Sequence, residues 1–129
     1  MCSKRIFKLK PFGRWAKKVL TDEQLCNAAR EIEKGIFEAD LGGGVCKKRI
    51  AIDGQGKSGA TRTLAAMHHK TAIFFLVGRE KSSPGKDFDD AQVEVAKKLA
   101  KGLSSANQAK IDEMLRDGTI EEIVCHEQD

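Results

Sequence analysis

Apolar and polar residues alternate over Arg5-Ile6-Phe7-Lys8-Leu9, which predicts a first strand. Pro11 ends it and opens a short helix. There Phe12, Trp15, Ala16, Val19 and Leu20 recur at i, i+3, i+4, i+7 and i+8, one helical face. Thr21-Asp22-Glu23-Gln24 has the form of a capping box, so a second helix should run to about Lys34. Leu25, Ala28, Ala29 and Ile32 face inward in that reading, and Gly35 is the stop. Asp40 to Gly44 reads as a loop. Val45–Ile52 follows as a strand, with Cys46, Lys48, Ile50 and Ile52 on one face and Val45, Lys47, Arg49 and Ala51 on the other. A turn from Asp53 to Gly59 leads to a third strand at about Thr61–His68. After a turn at His69-Lys70, the apolar run Ala72–Val77 has the character of a central strand buried on both faces. Gly78 to Lys86 is a polar loop. An amphipathic helix is expected over Asp89–Leu103 with Val93, Ala96, Leu99, Ala100 and Leu103 inward. A further helix should start at a Ser104 cap and end at Gly118, and Thr119–Cys125 reads as a short strand or extended tail. The order β-α-α-β-β-β-α-α-β predicts an α+β fold, a small, mainly antiparallel sheet with helices packed on it. No repeat, low-complexity tract or linker divides the chain, so residues 1–129 are expected to form a single domain.

Charge refines this picture. The net charge of +4 conceals a bipolar chain. Residues 1–20 hold seven Lys/Arg and no acid, and residues 44–86 hold nine against two acids. Residues 21–43 and 87–129 are acidic. One basic face beside acidic helices favours a nucleic-acid-like partner. Cys2, Cys26, Cys46 and Cys125 show no CxxC pair and no zinc spacing. They read as reduced thiols of a cytoplasmic protein. No apolar run approaches the ~20 residues that span a bilayer, so no membrane association is expected. Tyrosine is absent.

The densest chemistry lies between Lys47 and Thr63, where Lys47, Lys48, Arg49, Lys57 and Arg62 surround a glycine-rich turn. Fixed cations of this kind displace counterions from phosphates and set backbone register. Charge alone does not separate such a surface from a solvated edge that resists aggregation. Gly56-Lys57-Ser58 resembles the end of a nucleotide-binding loop, but Ala51 stands where that motif needs glycine, and a strand rather than a helix follows. His68 and His69 point to opposite faces in a strand, and no three ligands converge, so no metal or other cofactor is expected. Trp15 reads as packing. Lys97, Lys98 and Lys101 read as a solvated helix face. With Lys81 added from the loop after the central strand, the cluster suits RNA cleavage by the neighbouring 2′-OH. Cations stabilise the charge that gathers on the pentacovalent phosphorus, and a lysine can transfer the proton. Simple phosphate binding requires the same residues.

At these positions the chain resembles the RelE/ParE superfamily of bacterial type II toxins, and within it the HigB-like group. The similarity rests on Trp15-Ala16-Lys17-Lys18, Leu20-Thr21-Asp22, Ala39 to Gly44, Lys47-Lys48-Arg49-Ile50, Gly54 to Gly59, Arg62-Thr63, Phe74-Phe75, and Gly78 with Lys81. It extends over about residues 5–123. Ala60-Thr61 stand where the group usually has glycine and tyrosine, and Arg79-Glu80 where Phe-Ala commonly precedes the lysine. The resemblance implies a RelE-like endoribonuclease that cleaves mRNA, usually on the ribosome, and inhibits translation. Its partners would be mRNA, the ribosome and a cognate antitoxin, often a helix-turn-helix protein. It implies catalytic roles for Lys57, Arg62 and Lys81 and RNA binding by Lys47 and Arg49. The alternative is a ParE-like inhibitor of DNA gyrase, which performs no chemistry; a third is a toxin that has kept only RNA or antitoxin binding.

Overall fold

The computed structural model describes residues 4–51, 61–80 and 88–125. Six strands form one sheet. They are β1 (Arg5–Leu9), β2 (Ala39–Gly42), β3 (Val45–Ile50), β4 (Thr61–Ala66), β5 (Ala72–Glu80) and β6 (Ile120–Ile123), in the spatial order β2-β3-β4-β5-β1-β6. All neighbours are antiparallel except β1 and β5. Four helices complete the α+β fold: α1 (Lys10–Ala16), α2 (Asp22–Glu33), α3 (Asp90–Ser104) and α4 (Gln108–Asp117).

Helices cover both faces of the sheet, which explains the unbroken apolar run of β5. On one face Ile6, Cys46, Ala65, Ile73 and Phe75 pack under Phe12 and Ala16 of α1 and Leu25, Ala29 and Ile32 of α2. On the other, Phe7, Val45, Leu64 and Phe74 pack under Ala96, Ala100 and Leu103 of α3 and Ile111 and Met114 of α4. Phe12 stacks on Phe75 and Phe7 on Phe74, with ring centroids 5.5 and 5.2 Å apart. Trp15 is a packing residue. Its indole lies on the β5 backbone at Gly78, where a Cβ would come within 2.0 Å of the ring. Only glycine admits that approach.

Local signals mostly match the elements. Thr21 and Gln24 close the expected capping box on α2, and Gly35 and Gly118 take φ of 84° and 83° after α2 and α4. Several readings change, and β5 runs on to Glu80 where a loop is expected from Gly78, while β4 stops at Ala66 rather than His68. Asp40 to Gly44 is not all loop, because Ala39–Gly42 pairs with β3 as an edge strand and the tight turn is carried by Gly43 and Gly44. α1 stops at Ala16, short of Leu20. Asn107, not Ser104, caps α4, its side chain accepting from the Lys110 N–H at 2.8 Å. Asp89 caps α3 in a second capping box.

The largest correction concerns the thiols. Cys26 on α2 and Cys125 beyond β6 form a disulfide across 99 residues, while Cys46 is free and buried. The cysteines had looked isolated because the two partners are brought together only by α2 packing beside β6. Burial pushes the Cys46 thiol up to about 12, so it stays protonated. Closing so long a loop removes about 4–5 kcal/mol of unfolded-chain entropy in the simplest account. Reductant should therefore lower the melting temperature of the wild-type protein markedly. It should leave Cys125→Ala unchanged, the variant melting where the reduced wild type does; equal melting with and without reductant would contradict this.

Beside Cys125, on the same edge of the sheet, Arg5 forks onto Glu122 with two 2.9 Å hydrogen bonds, tying β1 to β6. Those bonds hold the Glu122 carboxyl below its ordinary value of 4.5. A carboxylate depressed in the fold adds stability above the unfolded value and loses it as pH falls through the folded one. Glu122→Gln should thus unfold more easily than wild type at pH 7, by up to ~1 kcal/mol for so exposed a pair. The difference should fade as pH drops below about 4.5. Urea titrations at several pH values measure it.

Candidate nucleic-acid interface

Two buried threonines on β4 fix where the cations point. Thr61 Oγ1 donates to the Ile50 carbonyl at 3.1 Å and Thr63 Oγ1 to the Lys48 carbonyl at 2.9 Å. Both hydroxyls sit on the α1/α2 side of the sheet, so Arg62 between them must face the α3/α4 side. There it lies opposite Arg49 on β3. Lys47 shares that side, opposite Leu64. Directly opposed residues on one face have Cβ atoms about 4.5–5.5 Å apart. Arg49 is exposed, and Lys47 and Arg62 are half-buried.

β5 adds a residue that the sequence reading did not place here. Simple alternation from Phe74 would send Arg79 to the opposite face. The β4–β5 register shifts between Leu64 and Ala65, however: Ala65 pairs with Phe75 but Leu64 with Val77, leaving Leu76 as an extra residue. This bulge reverses the alternation beyond it, so Arg79 stands opposite Arg62 on the same face. Arg49, Arg62 and Arg79 then form one row across three strands. A bulge leaves little trace in a uniformly apolar run, and the only hint was the arginine beside Gly78.

The other predicted residues divide. Lys48 is removed from the cationic surface: it points to the α1/α2 side, is 4% exposed, and binds Glu31 Oε1 at 2.6 Å and the Ile36 carbonyl at 3.1 Å. Its charge organises the turn after α2. Lys57 and Lys81 lie outside the described residues, Lys57 in the segment joining β3 to β4 and Lys81 directly after Glu80. Glu80 pairs with Thr61, so β5 ends beside the start of β4. His69 is structural. Nδ1 accepts from the Thr71 N–H at 3.0 Å, so the proton is on Nε2, which donates to the Ala106 carbonyl at 2.8 Å. β4 begins at Thr61, where a nucleotide-binding loop would need a helix.

The RelE toxin of the RelE/RelB toxin–antitoxin system is the family whose profile matches this chain, over residues 4–123. The protein therefore belongs to the RelE toxin family, and an antitoxin partner follows from that membership. A comparison with curated proteins gives no match. No helix among the described residues is long and apolar enough to cross a membrane.

Arg49 and Arg62 are directly opposed, and like charges directly across a sheet destabilise it by up to ~1 kcal/mol per pair. An anion bound along the row removes that cost. Arg62→Gln should therefore melt higher than wild type in low salt, and added inorganic phosphate should stabilise wild type more than the variant. Thermal melts with and without phosphate read both effects; a variant that melts lower and responds equally would show that the row is not an anion site.

Proposed function

We propose that the protein is the toxin of a type II toxin–antitoxin pair, of the HigB-like kind, and that it is an endoribonuclease cutting mRNA on the ribosome. The observation that carries this reading is the row Arg49–Arg62–Arg79 with Lys47 beside it. A row of cations on one face suits a phosphate backbone, from which it releases counterions and whose register it fixes. In the proposed reaction the 2′-OH attacks the adjacent phosphorus and loses its proton, while the 5′-oxygen leaves and gains one. Arg62 and Arg79 stabilise the negative charge on the phosphoryl oxygens during the transfer. Lys57 and Lys81 supply the proton-transfer groups, and Lys47 and Arg49 hold the RNA strand. The chain acts as a single domain in the cytoplasm, where its substrate is, with a helix-turn-helix protein as the expected antitoxin. No metal or cofactor enters the scheme.

Induction should arrest bacterial growth, and mapped transcript 5′ ends should accumulate within coding regions. Those ends should carry 5′-hydroxyls, and the upstream fragments 2′,3′-cyclic phosphates or 3′-phosphates. With purified ribosomes kept assembled, a chelator should not abolish cutting, and a 2′-deoxy nucleotide at the cut site should prevent it. Arg62→Ala and Arg79→Ala should each slow cleavage by roughly 10²–10³ while remaining folded. Growth arrest with intact transcripts and inhibited gyrase would replace this reading with the ParE-like one.

A further inference from the structure

The disulfide between Cys26 and Cys125 presents its two sulphurs unequally. Cys26 is 2% exposed and belongs to the core beneath α2, in one cluster with Ile6, Ala29 and Ile123. Cys125, just beyond β6, is half-buried and lines a cavity of about 180 Å³; Cys26 is not among the lining residues. Arg5 and Glu122, held to each other by their two hydrogen bonds, build part of the cavity wall together with Arg30 of α2. Arg30 stands one helical turn beyond Cys26. The cavity therefore opens beside the helix that carries the bond and still reaches only the outer sulphur.

Thiol–disulfide exchange requires a thiolate to reach the sulphur it attacks, so access decides which half of a bond reacts. The recess admits a small molecule to Cys125 and shields Cys26. A sulphur set in a recess also favours a small molecule over the surface of a protein reductant. The bond itself is a clamp between α2 and the chain beyond β6. Opening it leaves the β1–β6 pairing in place and releases Cys125 from the helix.

We infer that Cys125 is an exchange site for a low-molecular-weight monothiol of the glutathione class, with Cys26 as its resolving partner. The small thiol gives its proton to solvent and attacks Cys125 Sγ as a thiolate. A bond forms between those sulphurs as the Cys26–Cys125 bond breaks, and the electron pair leaves on Cys26 Sγ, which takes up a proton. A second small thiol then attacks the outer sulphur of the mixed disulfide, departs as the oxidised dimer and frees Cys125. In the reverse direction Cys125 opens the oxidised dimer, and Cys26 closes the bond by expelling the second small thiol. The cytoplasm proposed above supplies such a thiol, and the stability of the fold follows the ratio of its reduced and oxidised forms. None of this depends on the nuclease reading.

The test uses the full chain in a Cys2→Ser background, with glutathione as the probe. Cys26→Ala leaves Cys125 as the thiol in question and Cys125→Ala leaves Cys26; both lack the same bond, which equalises the loss of stability. Oxidised glutathione is added under native conditions, with folding checked by circular dichroism. Peptide mapping by mass spectrometry should find Cys125 modified roughly 100-fold faster than Cys26, with Cys46 unmodified. In urea the two rates should converge. A second measurement needs neither of those substitutions. The oxidised chain with both cysteines, given reduced glutathione and quenched with acid, should carry the mixed disulfide on Cys125 alone. Its melting temperature should fall as the ratio of reduced to oxidised glutathione rises. Equal native rates for the two variants would overturn the inference. So would an adduct on Cys26 in the disulfide-bonded chain, or a bond that only urea or a dithiol protein of the thioredoxin class can open.

Discussion

Burial on both faces of β4 is the constraint on which the rest depends. Thr61, Thr63 and Ala65 are sealed on one side and Leu64 and Ala66 on the other. A slip of one residue against β3 would exchange those sets, placing leucine among the threonine contacts and arginine in the core. The two threonine hydroxyls add directional bonds to the non-directional burial. Arg62 is therefore presented to solvent by a strand that has no other arrangement available, which is how a long, flexible side chain acquires a defined position.

The two faces of the sheet have different duties. On the α1/α2 side the charged group of β3, Lys48, is buried and satisfied by Glu31 and a carbonyl, and Trp15 presses on Gly78. That side holds strands and helices in place. On the α3/α4 side the ends of β3, β4 and β5 carry the arginine row. The bulge at Leu76 belongs to both, because it reconciles the indole on Gly78 with Arg79 facing the other way. A strand of perfect alternation could not place Gly78 under Trp15 and Arg79 beside Arg62 while keeping Phe74 and Phe75 where they are.

Those details decide what could be read from the chain. Helices announced themselves through side chains that act locally: Thr21 with Gln24, the glycines at 35 and 118, and the period of Leu25, Ala28, Ala29 and Ile32. The faces of β3 were legible from the two-residue period of a strand, which puts Cys46, Lys48 and Ile50 on one side and Val45, Lys47 and Arg49 on the other. Legibility failed where distant parts of the chain decide. β2 is a strand only because β3 pairs with it, and its own glycines signal a turn. Cys26 and Cys125 are neighbours only in the folded sheet. Ser104 and Asn107 are both plausible caps, and the packing of α3 chose between them. Along the cation row, Arg62, Arg49 and Lys47 could be placed from the chain, while Arg79 required the bulge and Lys48 required its ion pair with Glu31.

β1 lies between β5 and β6, so this strand waits for two elements far along the chain: Ile6 is paired with Ile73 on one side and Ile123 on the other. In the time domain this sets an order of events. A ribosome making this protein must release residue 123 from its exit tunnel before the sheet can close, and until then β1 has a partner on its β5 side alone. The hairpin β3–β4 can form early from local contacts, but the platform beneath it is completed last, because pairings distant in sequence are the slow ones. Maturation of each new copy is thus coupled to the emergence of β6.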